Sequence, residues 1–140
     1  MTGKIVVYDD AKTIQRLLKI SLTRRGYEVS TYDCPIDSLP AGVKPAAAEL
    51  ARALEGIDCV ITDINMPGML GTTFLGLSRE GGYRKPAIIM CGSLEKDRPL
   101  VLAVQAKWPQ YVHEVRAKPF ESLNEIGTLV DRLVAESKFR

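Results

Sequence analysis

Short apolar runs alternate along this chain with longer stretches in which apolar residues return every three or four positions. Ile5-Val6-Val7-Tyr8, Asp58 to Asp63 and Pro86 to Cys91 are the runs; the first stops at Asp9-Asp10, the second ends in the carboxylate of Asp63 and the third stops at Gly92-Ser93. Continuous apolar runs of that length fit strands covered on both faces, as in a parallel sheet. Tyr27 to Tyr32 and Tyr111 to Ala117 instead alternate, as outer strands do. Between them lie helical spacings. Thr13 to Arg25 carries Ile14, Leu17, Leu18, the small Ser21 and Leu22 on one side, and Gly26 ends it. Pro45 to Leu54 opens with proline and continues with strong helix formers, and Gly56 closes it. Thr72 to Glu80 predicts a short helix stopped by Gly81-Gly82. Lys96 to Lys107 predicts another, with Pro99 placed in its first turn. Phe120 to Ser137 closes the chain with Leu123, Ile126, Leu129, Val130, Leu133 and Val134 on one face. Asp33 to Lys44, with Pro35, Pro40 and Gly42, reads as a long loop.

Strands and helices that alternate five times call for a single doubly wound α/β domain over residues 1–140. Its parallel five-stranded sheet would carry helices on both faces. In the flavodoxin-like strand order 2-1-3-4-5, the carboxyl ends of the first and third strands flank the switch point where such sheets bind ligands. Asp9-Asp10 follows the first strand and Asp63 ends the third, so this order brings three carboxylates to one crevice. The stretch Cys59 to Gly71 is the centre of the pattern: a buried run, then Asp63, then a turn broken by Pro67, Gly68 and Gly71.

Composition narrows the function classes. With 46% hydrophobic and 26% charged residues the chain is an ordinary globular sequence. A formal charge of +2 gives no reason to expect nucleic acid or a membrane surface as partner. No apolar run is long enough to span a bilayer and the start does not read as a signal peptide. Cys34, Cys59 and Cys91 are odd in number and widely spaced, which fits reduced thiols in a cytoplasm.

Three converging carboxylates repel and need a cation; an oxygen-only donor set suits Mg²⁺, which keeps waters and favours phosphate. An ionised aspartate is also a nucleophile towards phosphorus. Lys118, at the end of the fifth strand, adds a compact positive charge. Asp9-Asp10, Asp63 with Met66-Pro67-Gly68-Met69-x-Gly71, and Lys118-Pro119-Phe120 together resemble a response-regulator receiver domain, in order and over almost the whole chain. The resemblance implies that Asp63 is the phosphoacceptor. It implies that Asp10 and Asp63 bind Mg²⁺ directly, Asp9 through water and Asn65 through its backbone carbonyl, and that Lys118 contacts the phosphoryl group. It also implies a histidine kinase or histidine phosphotransfer protein as phosphoryl donor, with signalling through the face around the fourth helix and fifth strand.

The sequence departs from that family in four places. Cys91 stands where a Thr or Ser hydroxyl is usual, and a thiol is a weak donor. Val115 stands three before the lysine, where an aromatic ring is common. Leu70 replaces a frequent acidic residue, and the loop from Asp33 is long. The expectation is a stand-alone receiver, monomeric or weakly dimeric, since only one helix follows Lys118. It would not be an enzyme, and its output would be protein contact. The alternative suggested by Cys91 and Val115 is a receiver-like binding module independent of phosphate. A haloacid-dehalogenase-type phosphatase ranks lower, because its second acid, two residues past the nucleophile, is here Asn65. His113 reads as an exposed strand residue, and Arg24-Arg25 as solvated charge.

Overall fold

A computed structural model describes residues 2–118 and 123–138. In chain order it contains β1 (Lys4–Tyr8), α1 (Lys12–Arg24), β2 (Glu28–Tyr32), α2 (Ala47–Ala53), β3 (Cys59–Asp63), α3 (Gly71–Glu80), β4 (Ala87–Cys91), α4 (Leu94–Lys107), β5 (His113–Ala117) and α5 (Leu123–Ser137). The strands form one sheet in the order β2-β1-β3-β4-β5, and every pairing is parallel. The expected doubly wound α/β architecture is therefore present.

The apolar runs are continuous because both faces of the sheet are covered. Val6, Tyr8, Val60, Ala87, Ile89 and Cys91 face a core built with α2, α3 and α4, including Leu50, Phe74, Val101 and Val104. Ile5, Val7, Cys59, Ile61, Ile88 and Met90 face the opposite core, which holds Leu18 and Leu22 of α1 and Ile126, Leu129, Val130, Leu133 and Val134 of α5. At about 25 cal/mol per Å² of apolar surface removed from water, these two layers supply the main favourable term in folding.

Several expectations need correction. Within Asp33–Lys44, Pro35–Ser38 forms a 3₁₀ turn that tucks Cys34 into the core. Leu17, assigned to the apolar side of α1, is 42% exposed. The buried stripe runs through Gln15, Leu18 and Leu22 instead. Pro99 is in the second turn of α4, not the first. The cause is an earlier start, because Ser93 caps the helix by accepting the backbone N–H of Lys96 at 3.2 Å. Arg25 is not simply solvated: Nη1 donates to Asp131 at 2.6 Å, which ties the end of α1 to α5. Pro119 and Phe120, and with them the expected first residues of the last helix, lie outside the described residues.

The largest departure is at His113, which is 7% exposed rather than on the surface. Its Nε2 accepts a hydrogen bond from Arg79 Nε at 3.1 Å. Arg79 is itself only 2% exposed; its Nη1 donates to the carbonyls of Tyr83 at 3.0 Å and Lys85 at 2.7 Å. Its guanidinium carbon lies 5.4 Å from the Tyr83 ring centroid and 4.7 Å from that of Tyr111. One side chain from α3 thus holds the starts of β4 and β5 together.

Because an arginine N–H can only donate, His113 must keep a free lone pair on Nε2 and carry its proton on Nδ1. Burial, and then the adjacent Arg79 charge, push its pKa down to about 4. An unfolded histidine titrates near 6.5, so between pH 6.5 and about 4 the unfolded chain binds a proton that the folded chain excludes. Stability should accordingly fall by up to about 3 kcal/mol as pH drops through that window. Urea titrations of the wild type and of His113→Gln, which keeps an acceptor but cannot titrate, check this. The variant's stability should fall less steeply across the same range.

Candidate functional site

The crevice lies where the carboxyl ends of the strands meet. Asp9 is the first residue past β1, Asp63 is the last of β3, Cys91 the last of β4 and Lys118 the first past β5. The parallel register places β1 beside β3, pairing Tyr8 with Thr62, and this brings the two acidic positions side by side. One carboxylate oxygen from each of Asp9, Asp10 and Asp63 lies within 4.8 Å of the other two. Asp9 is fully buried and Asp63 is 6% exposed, while Asp10 faces solvent.

Lys118 Nζ sits 3.0 Å from Asp9 Oδ2 and 3.2 Å from Asp63 Oδ2. Its chain is held in place by its own N–H, which donates to the carbonyl of Cys91 at 2.7 Å. Burial works against the ammonium, but the hydrogen bond and charge of Asp9 and the charge of Asp63 outweigh it and raise its pKa. It remains a cation. Burial pushes the Asp63 carboxyl up, Lys118 pulls it back and the Asp9 charge pushes it up again, with a net raised value. The backbone N–H of Ile64 donates to Asp63 Oδ1 at 2.9 Å and fixes that side chain's direction.

Three carboxylates against one ammonium leave the crevice with an excess of two negative charges. All the anionic donors are hard oxygens, and one is open to solvent. That donor set fits a divalent ion such as Mg²⁺, which keeps part of its water shell, better than a thiophilic metal.

The turn after β3 is shaped for the site. The N–H of Gly71 closes it by donating to the Ile64 carbonyl at 2.8 Å, and Ile64 and Met66 anchor it in the core. Gly71 does not break structure as expected; it is the first residue of α3. A Cβ there would lie 1.9 Å from the Asp63 carbonyl oxygen. Asn65 is exposed two residues beyond Asp63.

Sequence reasoning missed the residues that hold Asp9. Gln15 Nε2 donates to the Asp9 carbonyl at 2.5 Å and to Asp33 Oδ1 at 2.8 Å, and Lys12 pairs with the same Asp33 oxygen at 2.5 Å. Asp9 Oδ1 also accepts from the N–H of Ala11 at 2.8 Å. A signal existed, since Gln15 is a polar residue at a core-facing position of α1.

Cys91 does lie beside the crevice, fully buried. Burial, with the nearby Asp97 and Asp63 charges, pushes its thiol up to about 11, so it stays protonated. Val115, at the middle of β5, is partly buried and offers no ring. Among the described residues no helix is long and apolar enough to cross a membrane.

A family model described as the response regulator receiver domain matches residues 5–126. The chain is 32% identical over 122 residues to the response regulator protein FleR of Pseudomonas aeruginosa, covering 87% of the chain but only 23% of FleR. It is 31% identical to the chemotaxis protein CheY homolog of Campylobacter jejuni, covering 84% of the chain and 82% of the homolog. Among solved structures, its fold is shared with the receiver domain of a sensor histidine kinase from Pseudomonas aeruginosa PAO1. The TM-score is 0.74 at 19% identity, covering 96% of this chain and 99% of that one. That structure is described as having a magnesium ion coordinated in the active site cleft. With its sheet order, its acidic crevice and these relatives, the chain belongs to the response-regulator receiver domains of two-component signalling, the CheY-like kind among them.

Proposed function

We propose that this receiver accepts a phosphoryl group on Asp63 from a histidine kinase or histidine phosphotransfer protein, in the cytoplasm, and passes the signal on by protein contact rather than as an enzyme. The observation that carries this reading is the pairing of a nearly buried carboxylate with Lys118 Nζ at 3.2 Å, inside a crevice of excess negative charge. Mg²⁺ would be held by Asp10 and Asp63 directly, by Asp9 through water and by the Asn65 carbonyl, and when bound it would offset charge on the phosphoryl oxygens.

The chain's own residues account for the rest. A carboxylate oxygen of Asp63 attacks phosphorus, the P–N bond of the donor phosphohistidine breaks, and the histidine nitrogen leaves with the electron pair. Asp63 is oriented for attack by Ile64 N–H, so little of its freedom is lost at the moment of reaction. Lys118, fixed by its backbone contact to Cys91, places a permanent cation beside the acceptor oxygen. The Cys91 thiol donates only weakly, so the phosphoryl group gains less from that side than it would from a hydroxyl.

Incubation with acetyl phosphate and Mg²⁺ tests the reading by intact mass. The wild type should gain one phosphoryl group that hydroxylamine removes, and Asp63→Asn should gain none. A correctly folded wild type that gains no mass would leave the phosphate-independent module, suggested by Cys91 and Val115, as the better account.

A further inference from the structure

At the end of the sheet opposite the acidic crevice is a cavity of about 350 Å³, set between the residues that lead into β4 and β5 and the last turns of α5. Pro86, Tyr111, Val112 and Leu133 are its apolar walls, the first and last of them buried and the other two half-buried. Its volume lies within the range of small-molecule sites and is more than twice the roughly 150 Å³ of an apolar cavity that takes benzene. Both rims are held from behind by one buried side chain. Arg79 donates through Nη1 to the Lys85 carbonyl at 2.7 Å and through Nη2 to the Val112 carbonyl at 3.5 Å. Its guanidinium carbon lies 4.7 Å from the centroid of the Tyr111 ring, and Trp108 packs near that ring with centroids 6.2 Å apart. The aromatic wall is therefore fixed before any ligand arrives.

Charge at the mouth is unbalanced. Arg84 and Lys85 both line the cavity, and neither side chain makes an ion pair with any described residue. Glu136, the acid on the same wall, already faces Arg132 at 4.0 Å. Ser137 Oγ donates to the Val134 carbonyl at 3.1 Å and keeps its lone pairs for a further donor. Gln110 adds an amide that can both donate and accept.

We infer that this cavity binds a mononucleotide, with the base against Tyr111 and the phosphate held by Arg84 and Lys85. A fixed aromatic wall favours a flat ring, and stacking of that kind accepts any base. The planar fork of an arginine beside the point charge of a lysine suits the several oxygens and the double charge of a phosphate. Gln110 and Ser137 are then left for the polar edge of the base. The cavity shares no residue with the acidic crevice, so the inference stands apart from phosphoryl transfer to Asp63.

The probe is adenosine monophosphate, with adenosine and inorganic phosphate as controls, titrated into the full chain and followed by NMR. Mg²⁺ is omitted to keep phosphate away from the acidic crevice. Adenosine monophosphate should give saturable shifts at the backbone amides of Lys85, Tyr111 and Val112 and at the Leu133 methyls, with an affinity at least tenfold above either control. Arg84→Gln combined with Lys85→Gln changes only side chains at the mouth. It should leave the thermal midpoint in place and bring adenosine monophosphate down to the affinity of adenosine. Ser137→Trp, which fills the cavity from α5, should abolish binding of both. Adenosine monophosphate that binds no better than adenosine or phosphate overturns the inference. So do shifts confined to other residues, or a tenfold preference that survives the double variant.

Discussion

Gly71→Ala should cost about 3 kcal/mol or more and disturb the acidic crevice directly. An added Cβ would lie 1.9 Å from the carbonyl oxygen of Asp63, 3.0 Å from its carbonyl carbon and 2.9 Å from Thr62 Oγ1. Two of these are backbone atoms at the end of a central strand, which cannot rotate away as a side-chain tip could. Relief requires α3 or the end of β3 to move, and overpacking of that kind is among the larger single-residue costs. Gly76, also in α3, is the control: nothing lies within 4 Å of a Cβ there. Gly76→Ala should be neutral or stabilising by up to about 1 kcal/mol, through helix propensity alone. Urea denaturation of both variants decides the matter; equal, small effects would show that the turn after β3 is less tightly fixed than described.

The second large effect is expected at Arg79→Met. Methionine keeps much of the aliphatic volume but removes every donor. The carbonyls of Tyr83 and Lys85 and the Nε2 of His113 then lose partners held at 3.0, 2.7 and 3.1 Å. Each buried acceptor left without a partner costs about 1–3 kcal/mol, partly recovered where water can enter. A total of about 3–5 kcal/mol is expected, enough to lower the thermal midpoint by about 10 °C or more in a domain of this size. The acidic crevice, at the other end of the strands, should keep its geometry in whatever fraction is folded. Full stability in this variant would mean that Tyr83 and Tyr111 alone hold the starts of β4 and β5.

These two residues show where sequence reading succeeds and where it stops. The strands β1, β3 and β4 were legible because the two cores demand apolar side chains at most of their positions, and the carboxyl ends followed from the topology. Asp9, Asp10, Asp63 and Lys118 are therefore where the pattern places them. Gly71 was visible as a glycine after a turn, but the need for it comes from the Asp63 carbonyl oxygen, a close approach that spacing does not reveal. His113 was misread because alternation tells which side of a strand is apolar and not what arrives to cover it. Its partner is Arg79, 34 residues away on α3. Gln15 was passed over for a related reason: a polar residue in a buried stripe signals a buried acceptor, and here that acceptor is the Asp9 carbonyl. Pro99 was misplaced because the cap at Ser93 is set by one side-chain hydrogen bond, and helix boundaries depend on such local contacts.

Everything proposed for function depends on Asp9, Asp10 and Asp63 sharing one divalent ion next to Lys118. A Mg²⁺ titration followed by NMR at the backbone amides of Asp10, Asp63 and Asn65 and at Lys118 Nζ measures this most directly. The account predicts one saturable transition that moves all four signals with a single affinity and is weakened at least tenfold in Asp10→Asn. Signals that stay still as Mg²⁺ is added, or a transition that Asp10→Asn leaves unchanged, would contradict it.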